Sequence, residues 1–221
     1  MSEVCKVKPA TFNISFSEKE YDESEYAEII AKKFNTRHTK IQLSPATMLD
    51  ELEHALTAMD TPSGDGVNSY VVSKAIKNAG IKVALSGVGG DELFAGYPIF
   101  SQFQKLHDKR KWWKYSALIR KLGAASLFPG KFANKKYRLQ QLLKAPAPDI
   151  EYVYPVLRQM LSPQLVEQLT TIAVNDSTAL QRYLFKHKEQ LHQLPALSQV
   201  AAGEYMGYTQ HTLLKDTDQM S

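Results

Sequence analysis

The chain has 221 residues, 43% of them hydrophobic, with 27 Lys and Arg against 23 Asp and Glu. That composition can fill a core and excludes disordered, collagen-like and disulfide-scaffold classes. No apolar run approaches the roughly 20 residues that cross a bilayer, and the opening Met-Ser-Glu-Val-Cys-Lys-Val-Lys-Pro lacks the apolar stretch of a secretory signal. A cytoplasmic location is therefore expected. The lone thiol, Cys5, cannot form an intrachain disulfide, and no Cys or His cluster has zinc-ligand spacing.

The net charge of +4 is unevenly spread: Lys105 to Lys144 holds twelve Lys or Arg and a single acid, Asp108. This shift predicts two regions, residues 1–100 and residues 101–221.

In chain order, Phe12, Ile14 and Phe16 alternate after Pro9 and predict a strand over 10–16. Asp22 with Glu25 three residues on is a helix start. Tyr26, Ile29, Ile30 and Phe34 then recur at helical spacing, with Asn35 as the stop. Thr39, Ile41 and Leu43 alternate in a second strand. Ser44-Pro45 is a cap followed by a first-turn proline, opening a helix striped by Met48, Leu49, Leu52, Ala55, Leu56 and Met59. A third helix runs through Val71, Val72, Ala75, Ile76 and Ala79 to Gly80, and Ile81 to Leu85 is expected to be a short buried third strand. Strands separated by helices of this length predict an α/β fold, a parallel sheet with flanking helices, followed by a mainly helical region. In such sheets ligands sit beyond the carboxyl ends of strands, which directs attention to the loop after Leu85.

In the second region, Ser162-Pro163 opens a helix with Leu165, Val166 and Leu169. Further helices are expected from Leu180 to Leu191 and from about Val200 to Leu214, and Ala145 to Pro148 reads as a stiff connector.

The loop from Ser86 to Tyr97 reads S-G-V-G-G-D-E-L-F-A-G-Y. Its glycines allow tight turning and close backbone approach to a ligand. The adjacent Asp91 and Glu92 suit a hard cation, because Mg²⁺ binds through one or two carboxylates together with substrate phosphates. The plainer reading is a glycine-rich turn whose Asp91 caps the next helix. Two further blocks accompany the loop: T-F-N-I-S-F at Thr11 to Phe16, running into E-K-E-Y-D-E-S-E-Y from Glu18, and T-L-L-K-D-T-D-Q-M-S from Thr212.

Together these blocks resemble the asparagine synthetase family, in its ATP-pyrophosphatase domain. The likeness is strongest over 11–97 and 205–221 and looser between them. The resemblance implies an adenine-nucleotide alpha-hydrolase-like fold and a two-step reaction using ATP and Mg²⁺. A substrate carboxylate, with aspartate the first candidate, attacks the α-phosphorus and pyrophosphate leaves. Ammonia then attacks the acyl-adenylate and AMP departs. By the same resemblance Ile14 lies against adenine, while Ser86, Gly87 and Gly89 contact the nucleotide. Asp91 is the metal-side acid, Asp91 and Glu92 form the catalytic pair, and Val88 and Asp60 stand on the acceptor side.

The chain departs from the family's pattern in several places. It contains no S-G-G-x-D-S pyrophosphate loop, no E-x-R-x-P-F-L-D segment and no catalytic lysine after it. A glutaminase needs a cysteine at its mature N-terminus, so ammonia is expected from a glutaminase domain outside this chain. Asparagine-forming members resemble S-G-E-G where this chain has Val88, and an apolar residue cannot supply that glutamate's charge. These departures predict an incomplete piece of a ligase, leave open an acceptor other than aspartate, and keep as the alternative a non-catalytic remnant with adenine-nucleotide or partner binding.

The basic stretch interleaves its cations with Trp112, Trp113, Tyr115, Phe128, Phe132 and Tyr137. It is read as amphipathic helices, with Trp113, Leu118 and Leu122 packed inward and Lys109, Lys111, Lys114 and Lys121 in water, so neither nucleic acid nor membrane is expected as a partner. The six histidines are scattered and none is assigned a catalytic role; Lys215 is a weaker nucleotide-side candidate.

Overall fold

The computed structural model describes residues 4, 6–16, 22–126, 134–170 and 178–221. Cys5, Phe128, Phe132 and the 17–21 part of the first matching block lie outside them. The chain divides into two compact units, Met1–Ser86 with Thr212–Ser221, and Gly87–His211.

In the first unit, strand β1 (Ala10–Phe16) pairs in parallel with β2 (Arg37–Leu43), Ile14 opposite Ile41. The connection is helix α1 (Ser24–Lys33), the crossover that parallel pairing demands. Asp22 accepts from both the backbone N–H and the hydroxyl of Ser24, and these bonds hold its carboxyl below the ordinary aspartate value. Asn35 ends the helix in the left-handed region, φ 48°, a conformation that asparagine tolerates. Helix α2 (Pro45–Ala58) starts as its sequence dictates, with Ser44 Oγ accepting from Thr47 N at 3.1 Å. Helix α3 (Gly66–Asn78) closes at Gly80, φ 80°.

The sheet differs from expectation in one respect that matters for the site. Residues 81–85 form no strand, and Val83 and Leu85 are exposed. Among the described residues the sheet has two strands, so this segment's backbone finds no ladder to join, and apolar character alone does not make a strand. The apolar stripes of α1 and α2 are likewise open: Tyr26, Ile29, Ile30, Leu49, Leu52 and Leu56 are exposed, while the small Ala31 and Ala55 are buried.

The second unit is helical throughout its described residues. It comprises α4 (Gly90–Phe94), α5 (Pro98–His107), α6 (Arg110–Trp113), α7 (Ala117–Ser126), α8 (Asn134–Lys144), α9 (Ile150–Arg158), α10 (Pro163–Leu169), α11 (Ala179–Lys186), α12 (Lys188–His192) and α13 (Ala196–Glu204). A π-helix (Tyr205–Leu213) then leads into α14 (Leu214–Met220), which itself belongs to the first unit and packs there on α3 and α2. Helix α9 is the hub, touching α5, α8, α11, α12 and α13. Its Ile150, Val153 and Tyr154 meet Ile99, Phe100 and Phe103 of α5, Leu184 of α11, Leu191 of α12 and Val200 of α13 in the core. At the contact with α13, a Cβ on Gly203 would sit 3.1 Å from the Tyr154 ring, so glycine permits this approach.

The connector from Ala145 to Pro148 is buried at its two ends and exposed at Pro146. The Trp113 indole donates to Ala145 O at 3.0 Å. Arg120 lies 4.2 Å over the same ring and donates to Leu143 O and Ala145 O. Trp113 is thus packed as expected, whereas Leu118 and Leu122 of α7 face solvent. The residues of α7 that turn inward toward α8 are smaller, Ala124 among them.

Candidate active site

The glycine loop owes its shape to two left-handed residues. Gly87 O accepts from Gly90 N at 3.0 Å to form a tight turn, and Gly89 adopts φ 95°, where a side chain would be strained. Helix α4 follows for five residues and stops at Ala95, φ 60°, after which Gly96 N donates to Asp91 O at 2.9 Å. A Cβ built on Gly87, Gly89 or Gly90 meets nothing within 4 Å, so the backbone of this turn is open to close approach.

Adjacent acids on this short helix point to different surroundings. Asp91 is exposed, with its carboxylate lying along Gly96; a Cβ there would fall 2.8 Å from Asp91 Cγ. Glu92 is 1% exposed and accepts from the Tyr97 hydroxyl at 3.0 Å. Burial first, and then the bond to Glu92, raise the Tyr97 phenol well above its ordinary value.

Beneath the loop lies a polar network that sequence reasoning missed. Arg158, at the end of α9, forms a two-pronged ion pair with Glu204 of α13, whose carboxylate is fully buried; one prong, Nε to Oε1, is 2.7 Å. The same guanidinium lies 5.1 Å from the Tyr97 ring centre and 4.2 Å from that of Tyr208, while Tyr97 and Tyr208 meet edge to face. Planar Arg suits this double duty because it binds a carboxylate in its plane and rings on its faces. The only hint in sequence is the helix expected from about Val200 to Leu214, which contains Glu204 and Tyr208, and its spacing does not reveal a partner 46 residues away.

Tyr154 is also buried in this region, and among the described residues its hydroxyl has no hydrogen-bond partner. Burial pushes its phenol up to about 12, with the Arg158 charge pulling the other way. An unfolded tyrosine titrates near 10, so the folded state favours the protonated phenol. That contribution is complete below pH 10 and is lost between about 10 and 12, at roughly 1.4 kcal/mol per pH unit. Tyr154→Phe is therefore expected to leave neutral stability unchanged or raise it by up to about 1 kcal/mol, and to flatten the alkaline loss. Urea midpoints at pH 7 and pH 11 check both; a large loss at pH 7 would contradict the unpartnered hydroxyl.

The other site residues named from sequence belong to the first unit. Ile14 is half-buried on β1, Asp60 is exposed after α2, and Ser86 ends the irregular 81–86 segment. The Asp60 loop is held by the terminal block. Thr61 N donates to Gln219 Oε1 at 3.2 Å, Gln219 Nε2 donates back to Thr61 O, and the Ser63 hydroxyl bonds the fully buried Asp216. Lys215 pairs with Asp216 at 3.8 Å. The structure thus brings Gly87, Val88, Gly89, Asp91 and Glu92 together in one turn, and places Ile14, Asp60 and Ser86 on three separate segments of the first unit.

One other group, Asp149, Glu151 and His192, places ligand-type atoms within 4.8 Å of one another. Arg110 already neutralises Asp149 at 3.2 Å, and His192 bonds Glu151 at 2.9 Å.

The sequence model described as asparagine synthase matches residues 1–221. Among curated proteins, asparagine synthetase [glutamine-hydrolyzing] 1 of Bacillus subtilis is 32% identical over 42% of this chain and 15% of its own length. Asparagine synthetase [glutamine-hydrolyzing] 3 of the same organism is 35% identical over 36% of the chain and 13% of its own length. Asparagine synthetase B [glutamine-hydrolyzing] of Escherichia coli is 29% identical over 49% of the chain and 20% of its own length. The chain thus matches a fifth or less of each of these relatives. No solved structure gives a significant match. With a family match along its whole length, the chain belongs to the asparagine synthase family.

Proposed function

We propose that this chain contributes the glycine loop and its acid pair to an ATP-dependent amide ligase that activates a carboxylate by adenylation and then amidates it. The observation that supports this reading best is the division of labour at Asp91 and Glu92. One carboxylate is free at the surface of an open glycine turn, and its neighbour is buried and braced by Tyr97.

The donor set fits the family's nucleotide and metal in part. An exposed aspartate suits Mg²⁺ shared with phosphate oxygens, and an unobstructed backbone suits the phosphates themselves. When bound, Mg²⁺–ATP supplies the electrophilic phosphorus and a leaving group whose charge the metal offsets. The chain's own residues then have distinct tasks. Gly87 and Gly89 offer backbone groups at close range. Asp91 holds the metal side. Glu92, fixed by Tyr97, keeps the turn from swinging, so alignment is set before the reactants arrive. Ile14 would cover adenine, and Val88 and Asp60 would face the acceptor. Aspartate is the first candidate acceptor. Val88 presents no charge to it, which favours a second carboxylate class as the alternative. Ammonia would come from a glutaminase domain elsewhere.

A second reading, a nucleotide-binding remnant without catalysis, draws support from residues 81–86, which reach the loop without the backing of a sheet strand.

Asp91→Asn tests the assignment. Calorimetric titration of the chain with ATP, with and without Mg²⁺, should show the Mg²⁺-dependent part of the affinity reduced about tenfold or more, with the helical circular dichroism unchanged. Equal Mg²⁺ dependence in both proteins refutes the metal-side role. ATP–pyrophosphate exchange when a separate polypeptide supplies an S-G-G-x-D-S strand would favour the ligase over the remnant.

A further inference from the structure

Helices α6 and α7, joined by one turn, present an apolar stripe that nothing in the described chain covers. Trp112, Tyr115, Leu118, Ile119 and Leu122 are each between 64% and 84% exposed. Their spacings of three and four residues put them on one side of the helical run. The opposite side is occupied: Trp113 and Ala124 are buried, Arg120 is bonded to backbone carbonyls, and α7 packs on α8. The exposed stripe is therefore not the core-facing side.

Its surroundings are cationic. By the same spacing Lys114 and Lys121 run along one edge and Lys111 stands at its start, with Lys109 just before. All four are exposed, and none forms an ion pair among the described residues. Between Lys109 and Ser126 there is no acid.

We propose that this face docks on an anionic lipid bilayer surface, lying in the plane of the headgroups with the aliphatic residues buried and the lysines at the phosphates. The chemistry selects this occupant. A run bearing Trp and Tyr at one end, aliphatic side chains along its middle and lysines at its margin partitions into a charged interface. A second copy would set lysines against lysines. Nucleic acid would satisfy the cations and leave Leu118, Ile119 and Leu122 in water. No helix among the described residues is long and apolar enough to cross a membrane, so the mode is peripheral. The inference departs from the sequence expectation of no membrane partner because Leu118 and Leu122, expected inward, point outward. It does not rest on the ligase reading.

The test uses the whole chain, vesicles of phosphatidylcholine, and vesicles in which phosphatidylglycerol is mixed. The chain should sediment with the mixed vesicles and shift its tryptophan emission to the blue. Binding should weaken about tenfold when salt is raised toward 1 M, where the screening length falls to roughly 3 Å. Leu118→Asp with Leu122→Asp, both at exposed positions, should abolish sedimentation without altering circular dichroism; Trp112→Ser serves the same purpose if the double variant does not fold. Absence of sedimentation with mixed vesicles overturns the proposal, as does sedimentation that these variants leave unchanged. A lipid-free dimer that the double variant converts to monomer overturns it in favour of a self-interface, and tighter binding to single-stranded RNA than to mixed vesicles overturns it in favour of nucleic acid.

Discussion

Arg158→Ala is expected to cost about 3–5 kcal/mol, among the largest single losses in the molecule, because it leaves the fully buried carboxylate of Glu204 without its partner. Deleting one member of a buried pair removes the attraction and keeps the desolvation penalty of the other. The change also strips the cation from the faces of Tyr97 and Tyr208, so part of the loss is packing. Arg158→Lys should recover only some of it, since an ammonium offers neither the fork nor the flat face. The informative control is Arg158→Met with Glu204→Leu. Replacing both charges by apolar groups should restore most of the stability, which identifies the uncompensated charge as the cause. Urea unfolding followed by circular dichroism measures all three. A loss under about 1 kcal/mol in the single variant would mean that Glu204 is hydrated or protonated instead.

Phe103→Ala should be comparably costly for an unrelated reason. The ring is fully buried on α5, stacked against His107 at 5.6 Å and enclosed by the residues of α9 and α13 that build the core of the second unit. Truncation loses the transfer energy of an aromatic side chain and leaves a cavity, about 3–5 kcal/mol together. Phe103→Leu should cost much less, because it refills most of the space. The two variants differ in salt response: the Arg158 loss is electrostatic in origin, whereas the Phe103 loss should be unchanged by moderate salt. Equal costs for Phe103→Ala and Phe103→Leu would show that the ring does not fill a closed site.

Local signals were legible in the sequence because they depend on neighbours along the chain. The strand over 10–16, the Ser44-Pro45 start, the Asn35 and Gly80 stops and the Ser162-Pro163 start all appear as expected. Burial was less legible. Periodicity finds the apolar face of a helix and says nothing about whether a partner exists, so the stripes that Tyr26, Ile29, Leu49 and Leu56 mark in sequence can be, and are, exposed. The same limit misplaced Ile81 to Leu85, which carry strand character but have no adjacent strand. At the candidate site, glycines followed by two acids were visible as a motif. The split between an exposed Asp91 and a buried Glu92 was not, because it depends on Tyr97, and the Arg158–Glu204 pair depends on two helices meeting.

Ala95 carries a consequence for variation at the site. It sits at φ 60° without being glycine, and it ends the short helix α4 that carries the acid pair. A left-handed residue costs an L-amino acid roughly 1–2 kcal/mol, least for Asn and Asp and most for β-branched side chains. Mutational tolerance at position 95 should therefore follow backbone geometry instead of hydrophobicity or size. Glycine, asparagine and aspartate would pass, while valine and isoleucine would fail despite resembling alanine in polarity. A half-exposed residue that bears no reactive group would then behave in a library selection as strictly as a catalytic one.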